Sequence, residues 1–182
     1  MASANTAVFG IFKTVGHAER AVETFITAGF PNNDISVLLT DAQTTRDFAH
    51  EKNTKAPEGA TAGVATGGII GGTLGLLAGL GTLAIPGIGP LLAAGPIVAT
   101  LAGLGAGGAA GGIIGALVGM GIPEYEAKRY EGHVKNGGVL MSVHCDNSKQ
   151  ITRATELMRG TGAEDISSTG ETAGAHASSH AR

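Results

Sequence analysis

Apolar and polar positions follow three regimes along the chain. In residues 7–40 they read as strand, helix, strand. "AVFGIFKT" is short, apolar and rich in Val, Ile and Phe. In "GHAERAVETFITAG" the apolar positions Ala18, Ala21, Val22, Phe25 and Ile26 recur at the three- and four-residue spacing of an amphipathic helix. Gly29 supplies a C-terminal stop, and "DISVLLT" makes the second strand. Residues 138–168 repeat the pattern. "GVLMSVHC" is a strand; "DNSKQITRATELMRG" offers an Asn/Ser cap and then Ile151, Ala154, Leu157 and Met158 on one face; "AEDISS" is a last short strand.

Set 131 positions apart, the two copies align Val8 with Val139, Gly29 with Gly160, and Asp34-Ile35-Ser36 with Asp165-Ile166-Ser167. The helix faces align less well, which indicates a structural repeat without proving a duplication. Two βαβ halves predict an α+β fold, a ferredoxin-like sandwich of one antiparallel sheet with helices on one face.

The third regime lies between the halves. From Gly59 to Pro123, 65 residues carry no Asp, Glu, Lys, Arg or His. "IPGIGP" at 85–90 and "GP" at 95–96 divide this run into two helix candidates, 60–83 and 97–121. Gly63, Gly67, Gly71, Gly75 and Gly79 make a ladder with a period of four in the first arm; Gly103, Gly107, Gly111, Gly115 and Gly119 make its counterpart in the second. Pro123 can open a charged helix, "PEYEAKRYEGHVKN", which Gly137 closes. The expected organisation is residues 1–58, a first βαβ half and polar loop; 59–122, a glycine-zipper hairpin; 123–168, a linking helix and second half; and 169–182, a disordered tail.

Each glycine in a water-exposed helix costs about 1 kcal/mol against alanine, so a lone soluble arm would lose several kcal/mol. Two environments reverse this. In a bilayer the backbone must satisfy its own hydrogen bonds, and small-xxx-small stripes let helices approach closely. Alternatively, neighbouring protein buries the arms on all sides. At about 1.5 Å per residue, arms of roughly 20–24 residues reach about 30–36 Å, the scale of a hydrocarbon core. Arg46, Lys52 and Lys55 precede the first arm, and Lys128, Arg129 and Lys135 follow the second. By the positive-inside rule both ends stay on the cytoplasmic side of the inner membrane. The connection 84–96 has no polar side chain, which suits a partly inserted hairpin, or a cytoplasmic assembly with hairpins buried between subunits. The partners expected are a lipid bilayer and further copies of the chain.

Composition narrows the function classes. Only 15% of residues are charged, and there are 31 glycines, against about 25% and about 7% in ordinary domains; the glycine excess sits in the apolar run. A net charge of -3 offers no basic footprint for nucleic acid. The N-terminus lacks a basic region before an apolar run, so no signal peptide is expected. The glycines meet neither nucleotide fingerprint, having no Gly-Lys-Ser/Thr ending and no strand leading into GxGxxG. In "HCD", strand neighbours His144 and Cys145 point to opposite faces, and Cys145 reads as core with Val139, Met141 and Val143. Glu124, Glu126, Glu131 and His133 could suggest a metal, but Glu126-Arg129 and Glu124-Lys128 have the spacing of helical charge pairs. His176 and His180 fall in the tail. No catalytic, metal or cofactor-binding residue is assigned.

"AVFGIFKTVGHAERAVETFITAGFPNNDISVLL" resembles the bacterial general-stress-protein domain of heat-induced stress proteins. With "GGIIGGTLGLLAG" between the halves and "GIPEYEAKRYEGHVKNGGVLMSVHC" after it, the layout is similar to long members with a hydrophobic insertion. The resemblance spans about residues 7–168. It implies a ferredoxin-like fold and a stress role, and transfers no catalytic residue. A weaker likeness is to a small membrane-anchored subunit of a bacterial quinol oxidoreductase. The expectation is a non-enzymatic stress-associated protein whose hairpin drives membrane association or homo-oligomerisation. A soluble self-assembling particle, a small-ligand sensor and a structural subunit of a membrane complex are the alternatives.

Overall fold

A computed structural model describes residues 6–40, 81–85, 89–95 and 112–170. The elements are β1 (Thr6–Phe12), α1 (Val15–Thr27), β2 (Ile35–Thr40), β3 (Gly81–Ile85), β4 (Gly89–Ala94), α2 (Gly112–Gly119), α3 (Glu124–Lys135), β5 (Val139–Cys145), α4 (Ser148–Gly160) and β6 (Glu164–Gly170). One sheet holds the strands in the order β3-β4-β2-β5-β1-β6, every neighbouring pair antiparallel.

The two halves form where the hydrophobic periodicity places them. The Thr14 side chain caps α1 by accepting from the His17 amide, and Asn147 caps α4 by accepting from Gln150. These caps satisfy amide donors that the first helical turn leaves without partners. They stand 133 positions apart, as do Gly29 and Gly162, which follow the two helices with φ of +90° and +88°. The equivalence of strand and helix is therefore two residues off the alignment read from the sequence. In register, Ala21 matches Ala154 and Phe25 matches Met158, all fully buried. The turn before β6 is shorter than that before β2, so Ile35 and Ile166 correspond in the two halves at a spacing of 131.

Strand alternation sends side chains to both faces. On one face Val8, Phe12, Ile35, Val37, Leu39, Met141, Val143 and Cys145 pack against α1 and α4. On the other, Ala7, Phe9, Ile11, Leu38 and Leu140 pack against Ile113, Ala116 and Leu117 of α2 and Ala127, Tyr130 and Val134 of α3. The expectation of helices on one face is thus corrected. The strands β1, β2 and β5 are apolar at nearly every position, not alternating, and such strands need cover on both sides.

The apolar run departs furthest from the reading by glycine spacing. Residues 81–85 and 89–94, expected as the end of an arm and a loop, are strands that extend the sheet beyond β2. Within the arm 97–121 the described helix is α2, and its inner side belongs to the sheet's second core. Gly63, Gly67, Gly71, Gly75, Gly79, Gly103, Gly107 and Gly111, the polar loop 41–58, and His176 and His180 of the tail lie outside the described residues. Among the described residues no helix is long and apolar enough to cross a membrane.

Candidate functional site

Among the described residues, the densest polar cluster joins α3 to the edge strand β6. Opposite Gly10 of β1, the strand β6 carries an extra residue: Phe9 pairs with Ser167 but Ile11 with Glu164. Asp165 sits in this bulge at φ +49°, a left-handed conformation that Asp tolerates better than most residues. Bulges re-aim side chains, and here the carboxylate meets α3. Arg129 pairs with its Oδ1, and His133 Nε2 lies 3.0 Å from its Oδ2. Tyr130 lies on the inward face, one residue from Arg129 and four before Val134. It is 2% exposed and stacks on Phe9 with ring centroids 6.3 Å apart. Its phenol donates to the Asp165 carbonyl at 3.0 Å, and the Ser167 hydroxyl is 2.6 Å away, placed to donate to the phenol oxygen.

A cleft of about 190 Å³ opens here, lined by Tyr125, Glu126, Arg129, Tyr130, Asp165, Ile166 and Ser167. Pockets for drug-sized ligands run to about 300–1,000 Å³. Burial raises the Tyr130 hydroxyl above its ordinary pKa, which outweighs the lowering by the Ser167 hydrogen bond, so the phenol stays a protonated donor. The carboxylate of Asp165 accepts from two cationic or polar side chains of α3, and its carbonyl accepts from a third. The geometry holds an edge strand to a helix.

This arrangement gives a test in alkali. A phenol whose folded pKa is raised stabilises the fold fully below the unfolded value of 10.0, and that contribution is lost as pH climbs from there through the higher folded value. Tyr130→Phe is expected to cost about 1–2 kcal/mol at neutral pH through the lost hydrogen bonds. It should also flatten the fall in stability above about pH 10. Urea titrations at pH 7 and in the alkaline range read both effects; an unchanged alkaline slope would remove Tyr130 from the account.

The residues singled out from sequence do not converge. Glu124 pairs with Lys128 at 2.7 Å, as the spacing predicts, and Glu131 with Lys135 at 3.1 Å. Arg129, assigned to Glu126 by spacing, instead reaches Asp165, because the bulge brings that carboxylate across; Glu126 accepts from the Tyr125 hydroxyl. Cys145 is fully buried in the core beside α1 and α4, while His144 Nε2 lies 3.2 Å from Asp146 Oδ1. Among the described residues no three His, Cys, Asp or Glu side chains form a group that could hold a metal. Of the ladder glycines, Gly115 and Gly119 are described, both on α2. A Cβ at Gly115 would meet nothing within 4 Å among the described residues.

The match to known families falls on the first half and reaches into the apolar run. Residues 7–86 match the heat induced stress protein YflT domain. The matched span holds β1, α1, β2 and β3 and supports the general-stress-protein family for this chain. No curated protein and no solved structure matches it. The Asp165 cluster lies beyond the matched residues, so the stress-protein domain match carries no role for it.

Proposed function

We propose that the chain is a non-enzymatic stress-associated protein, a ferredoxin-like platform that presents its uncharged segment 59–123 for self-association and attachment to a bilayer from the cytoplasmic side. The observation that carries this is the 65-residue run without one ionisable side chain, far beyond what the core of a small domain requires. The domain match at 7–86 supports the stress role. For the platform, the order β6-β1-β5-β2 within the sheet, with α1 and α4 packed on one face, supports the ferredoxin-like reading. The second helical layer and β3-β4 are additions made mainly from the apolar run. On this reading that run has two parts: stretches that return to the sheet, and glycine-laddered stretches that meet lipid or other copies.

Carbonate-washed membrane fractions, followed by sizing with and without detergent, test the reading. The chain is expected in the washed membrane, or in the supernatant as a species larger than a dimer. A soluble monomer would overturn it. Gly115 sharpens the test because a Cβ there meets nothing within 4 Å among the described residues. Gly115→Ala is expected to raise stability by up to about 1 kcal/mol through helix propensity. Gly115→Leu should fold as well as wild type yet lose the large species, because bulk at a close helix contact forces helices apart. An unchanged elution volume for Gly115→Leu would exclude this ladder position from the contact.

A further inference from the structure

The turn from α3 into β5 carries a chemistry that neither the core nor the cleft uses. Lys135-Asn136-Gly137-Gly138 holds the one Asn-Gly pair in the sequence. The helix ends on a left-handed glycine. Gly137 has φ +96°, its amide donates to the Val134 carbonyl at 3.0 Å, and the Gly138 amide donates to the His133 carbonyl at 2.8 Å. This pair of bonds is the Schellman closure of a helix, and the positive φ favours glycine at 137. Asn136, the residue before it, is exposed and lies at φ -83° and ψ 6°. The packing beyond is tight: a Cβ on Gly138 would lie 3.0 Å from the His133 carbonyl oxygen and 3.3 Å from that of Phe12.

An asparagine before glycine is prone to attack by the next backbone amide, which has no side chain beside it to shield it. The Gly137 nitrogen loses its proton and bonds to the Asn136 side-chain carbonyl carbon, and the side-chain nitrogen leaves as ammonia. Water then opens the succinimide ring at either carbonyl. One opening gives aspartate. The other gives isoaspartate, which routes the backbone through the side chain and lengthens it by one methylene. The folded turn opposes the first step twice. The attacking N–H is engaged by Val134, and a ψ near zero sets the Gly137 nitrogen over the Asn136 backbone nitrogen, turned away from the side chain that it must reach. We propose that Asn136 is a deamidation site gated by opening of the α3–β5 turn, and that its isoaspartate product loosens α3 from β6. His133, whose carbonyl closes the turn, is also the residue whose ring meets Asp165 of β6 at 3.0 Å. An added methylene has no room beside Phe12 and breaks the spacing of the two turn bonds, and the new carboxylate stands at the negative end of the α3 dipole. The inference rests on this turn alone and is independent of the self-association reading.

Timed, warm incubation of the full chain in mildly alkaline buffer, with and without denaturing urea, tests it. Peptide mapping by mass spectrometry reads conversion of amide to acid at Asn136, and labelling by a protein isoaspartyl methyltransferase reports the isoaspartate form. Conversion in urea is expected to run about tenfold or more faster than in native buffer, since the turn must open first. Equal rates would overturn the gate, and no conversion at Asn136 in urea would overturn the site. Asn136→Gln, aged alongside, should lose the label from this peptide. For the product, urea unfolding of the natively aged chain should show a second population with an earlier midpoint that grows with the label at Asn136. Aged Asn136→Gln should not show it, and neither should fresh Asn136→Asp, which carries the charge without the methylene. If no earlier population appears as the label accumulates, or Asn136→Gln develops the same one, the loosening of α3 is overturned.

Discussion

Deleting residues 60–121 is expected to leave a chain without a stable folded monomer. The removed span contains α2, whose Ile113 and Leu117 are at most 1% exposed, and the following Met120, 4% exposed. Together they cover Ala7, Phe9, Ile11, Leu38 and Leu140 on the sheet. Burying one side chain of this size contributes about 1.5–3 kcal/mol, so losing these contacts costs on the order of 5–9 kcal/mol by the same measure. That rivals the roughly 5–15 kcal/mol that holds a typical domain together. The deletion also strips β4 from β2, where Val37–Thr40 pair with Leu91–Ala94, and leaves an apolar inner strand as an edge. Circular dichroism and urea unfolding of the deletion chain check this. A cooperative transition near the wild-type midpoint would mean that the apolar run is separable from the sandwich.

That expectation reverses what the sequence suggests, and the reason is physical. The βαβ halves are legible because each signal is local: Phe25 and Ala21 fall on one helical stripe, Asn147 precedes a helix, and Gly29 ends one. The apolar run offers no such contrast. Where every residue is uncharged, helix and strand periods cannot be told apart, and short apolar stretches remain ambiguous. "GTLAI" and "GPLLAA" flank a Pro/Gly-rich turn, which is a hairpin signal, but the ladder spacing around them favoured a helical reading. Likewise Ile113 and Leu117 belong to an apolar surface, and nothing in their sequence says whether lipid, another copy or the chain's own sheet covers them.

The Asp165 cluster was hidden for a different reason. In the sequence Asp165 aligns with Asp34 of the repeat, and that alignment names no partner for its carboxylate. The bulge that turns it toward Arg129 and His133 arises from pairing with Gly10, more than 150 positions earlier, and no local pattern reports that. Tyr130 gave the one available hint, since it occupies an inward position between Ala127 and Val134 on α3. A tyrosine on a buried stripe needs a partner for its hydroxyl, and β6 supplies two.

Gly95→Val is expected to be the most damaging single substitution at a described glycine, at about 3–5 kcal/mol, the range of severe point mutations. Gly95 follows β4 at φ +77°, where side chains strain the backbone and branched ones most. A Cβ there would lie 2.3 Å from the Ile35 carbonyl oxygen and 2.9 Å from the Ser36 Cα. Those are backbone atoms of β2, fixed by the ladder that sets Ile35 opposite Val143 and Ser36 opposite Ser142, so they cannot swing aside as a side-chain tip would. The strain must open the seam between β4 and β2. Gly16→Ala is the control: it lies in α1, where an added Cβ meets nothing within 4 Å, and alanine should gain up to about 1 kcal/mol by helix propensity. Urea midpoints of the two variants should therefore move in opposite directions. If Gly95→Val unfolds near the wild-type midpoint, β4 does not lie against β2. The apolar run would then lose its attachment at the β3 end of the sheet, leaving α2 as the element that ties it to the fold.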